Sequence, residues 1–195
     1  MGGFSVINFN TFGLYQELLG YHAQLLDFPS KKTFKSETFN QIVNESQAAY
    51  SELKTFKAKI EEYSLIEVQQ LYSNTFDFNK KAPLYMTYNK FDTQKERGQL
   101  LAKLKVLYEM FGLKMVDQEL SDFLPLMLEF LSVANWTNDD RAVDNIEFVI
   151  MIIEDGTYAI SEQLAHTQNP YYYLIRSLRK TLKACIEQEQ MNEVK

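Results

Sequence analysis

Nucleophilic catalysis needs a thiol or hydroxyl placed beside a base. The chain offers one cysteine, Cys185, and two histidines, His22 and His166. Cys185 falls on the apolar stripe of the last expected helix, where a buried small hydrophobe is favoured over a nucleophile. His22 lies among Leu18, Leu19, Leu25 and Leu26, and a structural role is favoured for it. His166 sits near an expected helix end, where structural duty or plain exposure is favoured over catalysis. One cysteine and two distant histidines make no zinc-finger spacing and no H-E-x-x-H. A single cysteine closes no intramolecular disulfide, which fits a reducing compartment. Neither a P-loop nor G-x-G-x-x-G is present to cradle a phosphate. The expectation is no enzyme, no metal site and no cofactor.

Carboxylates, cations and aromatics remain. Glu119, Asp122 and Glu129 surround one expected helix start, and Asp139, Asp140, Asp144 and Glu147 follow. Helix caps and solvated faces explain them without function, because anions stabilise helix N-termini. The sharper reading is an acidic surface for a basic partner segment. On composition alone the caps are preferred, with Asp122 as the cap. Arg176, Arg179, Lys180 and Lys183 share one face of the last helix, and a solvated face is favoured over nucleic acid or membrane. The 14 Phe and 12 Tyr are mostly core. Tyr72, Phe76, Phe78, Tyr85, Tyr88 and Phe91, however, flank an irregular stretch over 77–91. Aromatic anchors beside carboxylates suit an amphipathic peptide carrying basic residues.

The elements that must position these groups are helical. The chain has 195 residues, 46% hydrophobic, with only 7 Gly and 4 Pro. Such a length buries about 70% of its surface, enough for one core. So few breakers disfavour a turn-rich β fold. The net charge of −6 argues against general nucleic-acid binding. The periodicity predicts helices over 11–28, from a cap at Ser36 to residue 60, from Ser64 to Phe76, and from Asp92 or Thr93 to Gly112. Others start near Ser121 or Asp122, near Asn138 with Gly156 bending or dividing it, and at Asn169-Pro170. The run 148–153 reads as apolar on most faces, and a helix apolar all round is usually central. The reading is an all-α, single-domain bundle of about seven or more helices over 1–195, with 1–10 and 188–195 frayed. No stretch is long enough to span a bilayer, and the first ten residues carry no secretory signal. A cytoplasmic protein is expected.

The stretch 72–130 resembles the NarJ-type chaperones, the delta subunit of respiratory nitrate reductase, within the TorD-like group of redox-enzyme maturation chaperones. Phe76-Asp77-Phe78 followed by Leu84-Tyr85-Met86-Thr87-Tyr88 is similar to the family's Phe-Asp and Leu-Tyr-Leu-Thr segment. Arg97-Gly98 followed by Leu104 to Gly112 resembles its Arg-Gly, helix, Tyr and Gly sequence. The longest piece runs Glu119-Leu120-Ser121-Asp122-Phe123-Leu124-Pro125-Leu126-Met127-Leu128-Glu129-Phe130. It resembles E-L-P-D-hydrophobic-L-P-hydrophobic-hydrophobic-L-E-F. Ser121 stands where the family usually has Pro, and Phe91-Asp92 where Gly-Asp is common.

The resemblance implies an all-helical, TorD-like chaperone. It would bind the N-terminal segment of the nitrate reductase alpha subunit and hold it for molybdenum cofactor and iron–sulfur insertion before membrane docking. Proteins that deliver the molybdenum cofactor are further implied partners; nucleic acid and direct membrane insertion are not expected. Combining it with the aromatics and carboxylates places the client peptide on Tyr72, Phe76, Tyr85 and Tyr88, with Asp77, Glu119, Asp122 and Glu129 on the acidic side. Arg97 is expected to pair with one of these carboxylates and order the loop, Gly98 allowing close approach. The rivals are a generic helical peptide-binding adaptor or regulator, a chaperone for another molybdoenzyme, and a nucleotide-binding protein.

Overall fold

The computed structural model describes residues 9–115, 119–135 and 142–186. These form eight α-helices: α1 Phe9–Leu26, α2 Ser36–Ile42, α3 Tyr50–Ile60, α4 Leu65–Tyr72, α5 Gln94–Met110, α6 Leu124–Val133, α7 Ala142–Ala165 and α8 Tyr171–Ile186. A π turn, Ser73–Asp77, prolongs α4. Among the described residues there is no strand, and an isolated antiparallel bridge joins Tyr85 to Phe123. The fold is the all-α bundle that the periodicity implies. The fray expected at 1–8 and 188–195 lies outside the described residues, whereas residues 9 and 10 already belong to α1.

Local chemistry sets several boundaries. Ser64 and Glu67 form a reciprocal capping box at α4. Thr93 caps α5 by accepting from the Glu96 amide. Gly112 closes α5 at φ 80, a left-handed turn that glycine takes without strain. The Asn169 side chain accepts from the Tyr171 amide at 2.9 Å to open α8.

Elsewhere the structure corrects the sequence reading. The stripe from Ser36 to Ile60 is two helices, and Lys35, not Ser36, holds the cap position of α2. Between them, Asn44 accepts from the Ser46 amide and Gln47 from the Asn44 amide. Such local side-chain bonds compete with the helical ladder. The helix expected from Ser121 or Asp122 begins at Leu124 with Phe123 as its cap residue, and Pro125 fits its first turn. Asp122 therefore caps nothing. The start expected near Asn138 lies outside the described residues, and α7 runs unbroken through Gly156. Its apolar run is buried on most faces, as expected: Val149, Ile150, Ile152 and Ile153 are buried and Met151 is exposed.

α1 packs on α6 and α8, and α8 packs also on α3 and α7. Tyr171, Leu174, Ile175, Leu178, Leu182 and Cys185 on α8 are buried. Burial pushes the Cys185 thiol up to about 12, which keeps it inert. The cations of α8 are not a free solvated face. Lys180 and Arg176 reach Glu52 on α3 at 2.6 and 3.7 Å, and Arg179 reaches Glu154 on α7 at 3.1 Å. His22 is fully buried between the Leu18 carbonyl, 2.8 Å away, and Ser177 Oγ at 2.9 Å. Burial, opposed by the Leu18 bond, lowers its pKa to about 4, so it is a neutral core residue.

Candidate functional site

The irregular segment between the π turn and α5 is held by backbone pairing and one buried charge. The Leu124 amide donates to the Leu84 carbonyl at 2.8 Å, and the Met86 amide to the Asp122 carbonyl at 2.9 Å. Asp122 is completely buried. Its Oδ2 accepts from the Thr87 amide, the Thr87 hydroxyl and Arg97 Nη2 of α5, the last at 3.2 Å. Arg97 Nε also donates to Thr87 Oγ1 at 3.3 Å, and its guanidinium lies 5.6 Å from the Tyr88 ring centre. A carboxylate this deep needs such donors, since an unpaired buried charge is costly. On the other face the segment rests on α7 at Gly156. An added Cβ there would come within 2.6 Å of Met86 Sδ and 3.1 Å of Met86 Cα. Gly98 plays no comparable part, because a Cβ there would meet nothing within 4 Å.

This pairing sets Tyr85 against Phe123, ring centres 5.4 Å apart, and Phe123 lines a groove of about 600 Å³. α1 forms one wall and α6 the other, with the segment after α5 closing one side. α1 and α6 come close at Gly20, where a Cβ would sit 3.2 Å from Ser132. Ala23, Pro125, Leu126 and Phe130 supply an apolar lining. Among the described residues, Asp27, Glu119 and Glu129 give the rim three carboxylates against one cation, Lys114. The Tyr85 hydroxyl donates to Glu119 Oε1 at 2.9 Å. Partial burial and then this bond push the phenol up to about 12, so it remains a donor at neutral pH. The Tyr108 hydroxyl donates to the Ser121 carbonyl and the Ser121 hydroxyl to the Leu101 carbonyl, both at 2.7 Å. These bonds stitch the turn that bears Glu119 to α5. An apolar cleft with an acidic rim fits an amphipathic helix carrying basic residues.

The residues expected at a peptide site fall in three places. Glu119 and Glu129 line the groove, and Tyr85 reaches its lip through Glu119. Asp122 and Arg97 lie behind that lip, with Tyr88 covering Arg97 from solvent. Tyr72 and Phe76 go into the core. Their rings pack on each other at 5.1 Å and on Tyr171 at 5.9 and 5.0 Å, and Tyr72 donates to the Leu26 carbonyl. Asp77 is exposed but is not among the groove-lining residues. Sequence reasoning missed the α1 wall of Gly20, Ala23, Gln24 and Asp27. The available signal was the pair of small residues at 20 and 23 in an otherwise leucine-rich helix.

A family model for the nitrate reductase delta subunit matches residues 40–166. The chain belongs to that family. It is 35% identical over 126 residues to the probable nitrate reductase molybdenum cofactor assembly chaperone NarJ of Bacillus subtilis strain 168, covering 64% of this chain and 65% of that one. With the nitrate reductase molybdenum cofactor assembly chaperone NarJ of Escherichia coli K12 it shares 27% over 128 residues, 66% of this chain and 51% of the relative. With the probable chaperone NarW of the same strain it shares 30% over 114 residues, 58% and 46% of the two chains. The matched stretches thus span about half to two thirds of these relatives. The delta-subunit match holds Thr87, Arg97, Asp122 and the α6 rim, but not α1, which forms the other groove wall.

Proposed function

We propose that this delta-subunit family member is an assembly chaperone for respiratory nitrate reductase, not an enzyme. It binds the N-terminal segment of the alpha subunit in the α1–α6 groove, in the cytoplasm. It holds that subunit for molybdenum cofactor and iron–sulfur insertion before membrane docking. The relatives' names support nitrate reductase as the client, and the groove supports peptide binding as the means. The observation that carries the reading is an apolar cleft rimmed by Asp27, Glu119 and Glu129 in a chain of this family. Client apolar side chains seated on Leu126 and Pro125 supply most of the affinity, and the rim carboxylates supply orientation. Among the described residues no helix is long and apolar enough to cross a membrane.

The test is calorimetric titration of a synthetic alpha-subunit N-terminal peptide into the protein and into Leu126→Asp. Binding by the first, and none by a Leu126→Asp variant that melts like wild type, is expected. Equal binding by both would remove the groove. In cells, deletion leaves nitrate reductase subunits made but inactive and short of molybdenum cofactor. Full nitrate reduction in a clean deletion would count against the function. Heat on titration with GTP would favour the nucleotide-binding alternative.

A further inference from the structure

We propose that Asp122, together with Thr87 and Arg97, is a positioning device for the groove lip. It acts on the bound peptide through Tyr85 and Glu119 without touching it. The assignment rests on the groove being the client site.

Three observations carry it. First, the buried carboxylate is poorly arranged for stability alone. Every side-chain donor reaches Oδ2, while Oδ1 is buried and without a hydrogen-bond partner. A well-packed apolar residue in such a place is often as stable or more so, whereas a buried ion pair can select one arrangement. Second, there is an arrangement to select. The pairing of the irregular segment with residues 122–124 rests on two backbone bonds, Met86 to Asp122 and Leu124 to Leu84. The chain turns directly after this pairing, the Tyr88 amide donating to the Tyr85 carbonyl at 3.0 Å, so no extended ladder holds it in place. In the observed register Met86 meets Gly156 on α7, and Tyr85 meets Phe123 and Glu119. A shift of this short pairing would break the Tyr85–Glu119 bond and the Tyr85–Phe123 ring contact that place the lip. The Thr87 amide and hydroxyl, both bonded to Asp122, fix the register at the next residue. Third, Arg97 ties the same carboxylate to α5, and Tyr108 and Ser121 tie the Glu119 turn to α5 as well. Both halves of the lip are thus referred to one helix.

The consequence is that Asp122 and Glu119 act on binding as one unit. Calorimetry with the alpha-subunit peptide is run on Asp122→Asn, Thr87→Val, Glu119→Gln and the double variant Asp122→Asn/Glu119→Gln, with melting followed for each. Each single variant is expected to weaken binding about tenfold, and the double variant no further than Asp122→Asn alone, because coupled neighbours are non-additive. Losses that multiply in the double variant would overturn the positioning role, as a general loss of structure would give that result. Wild-type affinity in folded Asp122→Asn and Thr87→Val would also overturn it. Thr87→Val removes one hydroxyl and keeps the shape, so it reports even where Asp122→Asn fails to fold. Leu126→Asp separates the two readings. If it abolishes binding while Asp122→Asn and Thr87→Val bind normally, only the positioning role falls; if it binds normally too, the groove falls with it.

Discussion

Tyr72, Phe76 and Tyr171 in one region and Tyr85 and Phe123 in another are the same residue types, set among helices of the same bundle. The first group closes on itself. Tyr171 packs edge-on against Tyr72 and Phe76 and tilted against Phe56, and all four rings are buried. The second stays half open. Phe123, with Tyr85 packed on it, lines a groove whose other wall comes from α1, about a hundred residues earlier in the chain. Carboxylates mark the difference. Around the closed rings the charge network of α8 is satisfied internally through Glu52 and Glu154. Around the open groove Glu119 and Glu129 are exposed and face a cleft. An aromatic cluster in a sequence is therefore not by itself a binding surface; what matters is whether a helix arrives to cover it. Tyr171 arrives on α8 and covers Tyr72 and Phe76, whereas among the described residues no helix covers Tyr85 and Phe123 in the same way, and both stay half-buried.

Substitutions on the closed and open sides should therefore act on different properties. Tyr171→Ala should cost about 3–5 kcal/mol of stability by chemical denaturation, the range for large aromatic truncations in a core. It should leave peptide affinity of the folded fraction unchanged. Tyr171→Phe is the complement: the Tyr171 hydroxyl is buried without a partner, so its removal should leave stability equal or higher.

The closed side is also where pH acts. His22 is held neutral with its pKa lowered to about 4, below an unfolded value near 6.5. The unfolded chain then binds the extra proton first, so stability is full above about pH 6.5 and falls as pH drops toward 4. The expected loss is about 3 kcal/mol across that window. Urea midpoints at pH 7 and pH 4.5 measure it, and His22→Gln should flatten its share of the slope.

On the open side the signs reverse. Leu126→Ala should weaken client-peptide binding by about 2 kcal/mol, as truncating a desolvated anchor does. Its melting temperature should move much less than that of Tyr171→Ala. A large stability loss without a binding loss would make the groove another piece of core. The smallest effect belongs to Glu129→Gln: about a twofold loss of peptide affinity at low salt that fades at moderate salt. An effect that persists in salt would mean the carboxylate is desolvated in the complex.

Much of the protein was legible before any coordinates. Helical periodicity, the Ser64–Glu67 box, the Thr93 cap, Gly112 and Asn169 are local signals, and each acts within a few residues. That locality is why they read correctly from the chain alone. That Arg97 pairs with one of four carboxylates was also legible; that the partner is Asp122 was not. The family was visible in the motifs from 76 to 130, and residues 40–166 match it. What the tertiary structure decided was the partner and the depth. Asp122 has the sequence look of a cap, and only the approach of Thr87 and Arg97 makes it a buried hub. Tyr72 and Phe76 have the look of a binding patch until α8 lies on them. The groove needs α1 beside α6, two segments about a hundred residues apart, and no local pattern encodes which of several apolar helix faces will meet. Burial and charge pairing are properties of neighbours in space, and a sequence states only neighbours along the chain.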